Sequence, residues 1–256
     1  MKNLLQEIVE EDRAKKTSFD KREVISKIQD GYVVNDEPKF TKKKTFSPST
    51  LVFGKGKCPR FWYYAFEGAV WEDDFTPYSK ANMGSGTDAH ERIQKAMLDS
   101  GVLLEDEVKI RSEDPPIFGF ADGIVSIEGE RMVLEIKTMN EAAFEYRKVN
   151  KKPPSYHLEQ LIIYMKVLKM EKGILLYENK NNHELEILEV TVNDEYIEWV
   201  NKTFDWLKRV RKAWEDKQLP EKAFRSNSKV CKGCPVKEIC FADDKGDVKI
   251  ERMEGL

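Results

Sequence analysis

Nowhere in these 256 residues do apolar side chains run on for the ~18 positions that a membrane-crossing helix needs. The start, Met1-Lys2-Asn3-Leu4-Leu5-Gln6-Glu7, turns polar within a few residues and carries no apolar signal core. A cytoplasmic protein is expected, nucleoid-associated or phage-encoded in a host cytoplasm. There is no internal repeat and no low-complexity tract, which excludes repeat arrays and biased tails. Neither sign of charge dominates. With 43 basic against 46 acidic residues, the formal net charge of -3 excludes coating nucleic acid by bulk electrostatics, but not a local basic groove. Cysteine is scarce, at four residues, and without a secretion signal disulfides are not expected. What is present is a globular composition, 40% hydrophobic and 35% charged, long enough for one large domain or two small ones.

Residues 1–45 read as an extension. Leu4, Leu5, Ile8, Val9, Val24, Ile25 and Ile28 have loosely helical spacing, and a polar linker follows from Gly31 to Thr45. The main body spans 46–256. Ser47-Pro48 has the form of an N-cap with Pro at the first helical position. A second helix begins near Cys58-Pro59, and a third covers about Ser79 to Asp99, closed by Gly101. The period then drops to two. Strands are predicted over Val102–Ile110, Ile117–Ile127 and Arg131–Thr138, with Glu128-Gly129-Glu130 as a hairpin turn. A helix follows from about Pro154 to Lys169. Strands at Gly173–Tyr177 and Leu185–Val192 come next, then a long helix from Asn193 to Lys217. This order gives an α/β fold with a mixed sheet flanked by helices.

Three charges end the apolar runs of two neighbouring strands. They are Asp122, after Gly119-Phe120-Ala121, and Glu135 and Lys137 within Glu135-Ile136-Lys137. Residues two apart on a strand share a face, so Glu135 and Lys137 project together. Two carboxylates can hold a hard divalent cation, and an ammonium beside them can orient a water. That is the inventory for metal-assisted hydrolysis of a phosphodiester. Each part has a plainer alternative: Asp122-Gly123 as a turn, and Glu135 with Lys137 as a solvent-facing pair. His157 and His183 have no motif around them and are taken as structural.

The four cysteines are Cys58, Cys231, Cys234 and Cys240. Buried core cysteines usually sit in apolar runs, whereas these sit among Lys, Gly and Pro. Four thiolates suit a tetrahedral Zn²⁺ or a [4Fe–4S] cluster. Three close cysteines with one more than 170 residues upstream favour the cluster. Either group would tie the helix at Cys58 to the C-terminal segment.

Taken together, these motifs resemble the iron–sulfur, RecB-like branch of the PD-(D/E)XK nuclease superfamily. That branch includes exonucleases of CRISPR adaptation, AddB-type nuclease domains and phage relatives. The resemblance covers roughly residues 46–242. It rests on the Cys58-Pro59-Arg60 segment, Gly86-Thr87-Asp88-Ala89-His90-Glu91, Gly119-Phe120-Ala121-Asp122, Glu135-Ile136-Lys137, Gln160-Leu161-Ile162-Ile163-Tyr164 and the cysteine triplet. The chain departs from the pattern with Ala121 before the aspartate and Phe61 where a second basic residue is usual.

The resemblance implies a restriction-endonuclease-like core with a cysteine-ligated cluster lobe joining N- and C-terminal segments. It also implies a metal-dependent DNA nuclease, in the first place an exonuclease on single strands or ends, serving replication, recombination, repair or CRISPR adaptation. His90, Asp122, Glu135 and the Ile136 carbonyl would bind Mg²⁺ or Mn²⁺, and Lys137 would act on the water or the phosphate. Gln160 and Tyr164, one helical turn apart, are expected to hold Lys137 or a DNA phosphate. Protein partners in a larger assembly are possible, and the rival class is a catalytically silent, iron–sulfur DNA-binding scaffold. Lys57 and Arg60 beside the first cysteine, and Arg147, Lys148 and Lys151 after the Glu-x-Lys strand, are candidates for DNA contact. Trp62, Tyr63 and Tyr64 read first as core and second as base-stacking residues.

Overall fold

A computed structural model describes residues 20–33, 42–71, 75–242 and 245–256. The expectations for residues 1–19 and for 34–41 of the linker lie outside this set. Contacts divide the chain into two compact units, 1–36 with 75–82, and 37–74 with 83–256. In the first, helix α1 (Lys21–Gly31) starts at an Asp20 cap that accepts from the Arg22 amide, and Gln29 Nε2 donates to the Tyr78 hydroxyl at 2.6 Å. Val24, Ile25 and Ile28 are exposed.

The second unit is built on five strands in the order β1-β2-β3-β4-β5: β1 Leu103–Ser112, β2 Ile117–Ile127, β3 Glu130–Met139, β4 Lys172–Asn179 and β5 Leu185–Thr191. β1–β2, β2–β3 and β4–β5 are antiparallel, and β3–β4 is parallel. This is the mixed sheet that the patterning predicts. Glu128 and Gly129 both have positive φ, 52° and 84°, the signature of a two-residue type I′ hairpin between β2 and β3. The sheet does not turn at Asp122-Gly123. β2 runs through that pair, so the turn alternative fails. Gly123 is required there, because a Cβ would stand 2.4 Å from Leu103 Cδ1 and 2.7 Å from the Glu105 carbonyl.

The helices in this unit are α2 (Pro48–Leu51), α3 (Pro59–Glu67), residues 83–99 of α4 (Pro77–Asp99), α5 (Glu141–Asn150), α6 (Ser155–Leu168), α7 (Asp194–Glu215), α8 (Lys229–Lys232) and α9 (Lys237–Ala242). α5 is not in the predicted set, because only Phe144 of its ten residues is buried and the apolar period is faint. Its visible signal is the Asn140 cap, whose side chain accepts from the Ala143 amide at 2.9 Å. One side of the sheet carries the main core, with Val133, Leu161, Leu175, Trp62 and Leu207. The other carries a smaller core, in which Ile93 and Met97 of α4 cover Leu103, Val125, Leu134 and Ile136. β4 is buried along almost its whole length, as a strand covered on both faces must be. Among the described residues no helix is long and apolar enough to cross a membrane.

The aromatic run of α3 is core. Trp62 is fully buried, and its indole donates to the Gly56 carbonyl at 2.7 Å, so it stacks on no base. Arg60 corrects another expectation. It is 0% exposed, with Nη1 donating to the Pro220 carbonyl at 3.2 Å, and serves to join the segments 160 residues apart rather than to meet DNA. Lys57 is likewise consumed. Its ammonium lies 2.8 and 3.0 Å from the two carboxylate oxygens of buried Glu159, which also accepts from the Leu256 amide. Burial closes Arg60 to the DNA contact the sequence suggested, whereas Lys57 is partly exposed and paired with Glu159.

Candidate active site

The β2–β3 ladder ends at the pair Gly123–Leu134, one residue before Asp122 and Glu135 come level. The strands part there, and Asp122 fills the gap: its Oδ2 accepts from the Ile136 amide at 2.5 Å, standing in for a ladder partner. Asp122 Oδ1 lies 3.3 Å from His90 Nδ1 on α4. One turn further along α4, the Gln94 amide donates to the Asp122 carbonyl at 2.8 Å and to Glu107 at 3.2 Å. His90 and Gln94 thus seat the helix on the fork from the same face.

Glu135 is 1% exposed, so the solvent-facing pair alternative fails. Its Oε1 accepts from Gln160 at 2.7 Å and pairs with the Lys137 ammonium. The same Gln160 amide group contacts the Tyr164 hydroxyl at 2.8 Å. Gln160 and Tyr164 therefore hold Glu135, where the sequence suggested Lys137 or a phosphate. The other oxygen of Glu135, Oε2, is buried and has no hydrogen-bond partner among the described residues. A buried, unpartnered carboxylate oxygen is costly and wants a cation or a proton.

The charges record the same tension. Burial, then the nearby Asp122, lifts the Glu135 carboxyl above its ordinary range, against the pull of Lys137. Burial works to lower His90, but its hydrogen bond to Asp122 and that residue's charge outweigh it and leave the imidazole raised. Lys137 is raised too, because the charge and hydrogen bond of Glu135 exceed the cost of burial.

Beyond Lys137, His157 Nδ1 lies 3.1 Å from the hydroxyl of Tyr177, the strand neighbour of Lys137. Burial, then Lys137 and Arg147, press His157 down to about 3, so it stays neutral. Arg147 is half-buried, and its Nε has no acceptor among the described residues. Lys148 and Lys151 instead pair with Glu184 and Glu186, on the far strand's approach. On the opposite flank, a cleft of about 660 Å³ opens beside His90, Gln94, Asp106 and Glu107. Gln94 and Glu107 belong to the site and were missed in the sequence. The available signal was that Gln94 lies four residues after His90.

The four cysteines are free thiols. Burial raises Cys58 to about 12, with Cys240 and Cys234 adding to the shift, and Cys234 and Cys240 are raised with contributions from Cys231. The segments that carry them meet: α9 packs on α3, and α8 on the turn Gly54–Lys57 just before Cys58. Cys231 and Cys234 sit in a turn in which the Ser228 hydroxyl accepts from the Cys231 amide. Among the described residues no three His, Cys, Asp or Glu side chains, at the fork or in the cysteine lobe, already converge as a metal cage.

A family model described as the PD-(D/E)XK nuclease superfamily matches residues 55–241. The fold is similar to that of an alkaline exonuclease, LHK-Exo, from Laribacter hongkongensis: TM-score 0.53, 10% identity, with 73% of this chain and 95% of that one covered. A structure of LHK-Exo in complex with dAMP gives TM-score 0.52 and 15% identity, with 70% and 92% covered. At these identities the likeness concerns the fold. No curated protein matches the chain.

Proposed function

The chain belongs to the PD-(D/E)XK nuclease superfamily, and from that premise we propose that it is a divalent-metal-dependent deoxyribonuclease, an exonuclease acting on single strands or DNA ends. The observation that carries this reading is Glu135 Oε2, an orphaned buried oxygen beside Asp122 and Lys137. A donor set of two carboxylates and an imidazole fits Mg²⁺ or Mn²⁺, with His90 tilting it toward Mn²⁺. Asp122, Glu135, His90 and the Ile136 carbonyl would hold the ion. When bound, it would acidify a water and offset charge on the scissile phosphate. Lys137, held by Glu135, orients that water or meets the charge that develops on the phosphate. Gln160 and Tyr164 keep Glu135 from rotating away. Arg147, with a donor to spare, extends the cationic side of the site.

The meeting of the segments that carry the four thiols supports a [4Fe–4S] cluster there, with Zn²⁺ as the alternative. Arg60, Lys57 and Val230, packed 3.0 Å from where a Gly54 Cβ would lie, already join the two ends of this lobe. A silent scaffold would have no use for an intact Asp122, Glu135 and Lys137. The host process, whether replication, recombination, repair or CRISPR adaptation, and any protein partners follow from resemblance alone.

The test is digestion of end-labelled single- and double-stranded DNA with Mg²⁺ or Mn²⁺. Cleavage should stop in excess chelator and in Glu135→Ala. Cleavage that survives either would overturn the assignment.

A further inference from the structure

Resting on the nuclease reading above, we infer that the open side of the β1–β2 pair is a stacking platform that leads a single-stranded nucleic acid to Asp122. Burial along β2 alternates: Ile117 and Ala121 lie in the core, while Phe118 and Phe120 are 39% and 44% exposed. Alternation puts 118 and 120 on one side of the strand, and Asp122 reaches toward His90 of α4, the helix that covers that side further along. Across the antiparallel pair, Arg111 stands opposite Phe118 and Lys109 opposite Phe120, and opposed residues share a face. The two rings meet edge to face, with centroids 5.4 Å apart. Further along the same side, Ile93 and Met97 of α4 cover the sheet. Phe118 and Phe120, beyond that cover, stay exposed.

The charges select the occupant. Along β1 they change sign, with Glu105 and Glu107 near the carboxylates and Lys109 and Arg111 beyond them. Among the described residues Lys109 has no carboxylate partner, and Arg111 has only the exposed Glu113 at 2.7 Å. Exposed rings interleaved with cations suit a ligand that offers flat apolar faces and anions in turn. A single strand does so. A duplex offers its phosphates but hides its base faces. Asp122, two residues past Phe120 and tied to His90 and Gln94 of α4, gives the strand a destination.

Anisotropy titration of a labelled oligothymidylate, alone or annealed to its complement, tests this with chelator present so that nothing is cut. Both rings are exposed, so their removal leaves the core intact, and thermal melting checks that. Phe118→Ala and Phe120→Ala should each weaken single-strand binding about tenfold and leave duplex binding nearly unchanged, whereas Phe120→Trp, which keeps a ring, should bind as wild type. Lys109→Ala and Arg111→Ala should each lower the slope of log affinity against log salt by about one. Unchanged single-strand binding in the Phe variants overturns the platform. So does an equal loss for both ligands, or a concentration-dependent dimer that Phe120→Ala abolishes while oligonucleotide binding stays. A protein that binds through these rings yet cleaves nothing with Mg²⁺ or Mn²⁺ keeps the platform and loses the nuclease reading. One that cleaves while Phe120→Ala binds as wild type does the reverse.

Discussion

The carboxylate fork and the cysteine lobe would each hold a metal, but they reach that state differently. In the fork, protein groups already hold the ligands: the Ile136 amide on Asp122, Gln160 and Lys137 on Glu135, and Gln94 on the strand beneath. Among the described residues, Glu135 Oε2 is the buried fork oxygen left without a partner. In the lobe, burial favours the thiol form of Cys58, raised to about 12, and of Cys234 and Cys240, and a metal would have to displace those protons. Side chains anchored one by one can lose an ion and keep their places, which suits an ion that comes and goes with substrate. A set of protonated thiols gains most of its order from what it binds.

The largest expected effects separate the two. Lys137→Ala should lower cleavage by about 10²–10³-fold, the usual range for one group meeting transition-state charge, and Glu135→Ala should lower it further. Neither should melt more than a few degrees below wild type in metal-free buffer, because the core is hydrophobic and Glu135 is a strained guest in it. A large drop in melting temperature would make Glu135 structural and blur the contrast. Cys231→Ser should behave the other way, losing melting temperature first and activity after. Anaerobically purified wild type should absorb near ~400 nm, and the variant should lose the band. A colourless wild type carrying zinc would assign the lobe to Zn²⁺, and a variant as stable as wild type would remove its role as a clamp.

The fork was largely legible in the sequence, and the reason is local. Alternation marks β2 and β3, Glu128-Gly129 marks their turn, and a short hairpin then brings Asp122 level with Glu135. Gln160 and Tyr164 were legible as a pair because helical spacing fixes them, but their partner was not, since choosing between Glu135 and Lys137 needs atomic positions. Arg60 and Lys57 were misjudged for a different cause. Their partners, Pro220 and Glu159, lie 160 and 102 residues away, and no local pattern announces that a basic residue will be held by a distant carbonyl or carboxylate. α5 was lost because a helix with one buried residue has almost no period to detect.

A smaller effect probes how the fork balances charge by pH. His157 is held down to about 3, whereas in the unfolded chain it titrates near about 6.5. Between those values the unfolded state binds the extra proton. The contribution is therefore full above about 6.5 and is lost as pH falls toward 3, by a few kcal/mol at most. Glu135 has the opposite sign. Its raised carboxyl binds a proton in the folded state first, so its burial costs stability as pH rises through its folded value. His157→Gln should flatten the acid-side loss in urea melts taken across pH, and Glu135→Gln should remove the neutral-side cost. If the His157→Gln protein loses stability in acid as steeply as wild type, the neutral imidazole is not what the fold protects.

The smallest effect asks how far the fork's pre-organisation depends on α4. Gln94→Leu removes one amide that serves both the Asp122 carbonyl and Glu107. Leucine is close to glutamine in volume, so the main cost is the lost hydrogen bond, about 1–2 kcal/mol. If that bond only staples helix to strand, melting temperature falls slightly and Mn²⁺ titration is unchanged. If it fixes Asp122 in the gap between β2 and β3, Mn²⁺ affinity falls several-fold, while Glu135, held from α6 by Gln160, keeps its place. We expect the second result, because Gln94 grips the backbone of the residue whose carboxylate replaces a rung of the ladder. There a small shift of the strand becomes a shift of a metal ligand. An unchanged Mn²⁺ isotherm would show that the Ile136 amide alone sets Asp122, and that α4 contributes only His90 to the site.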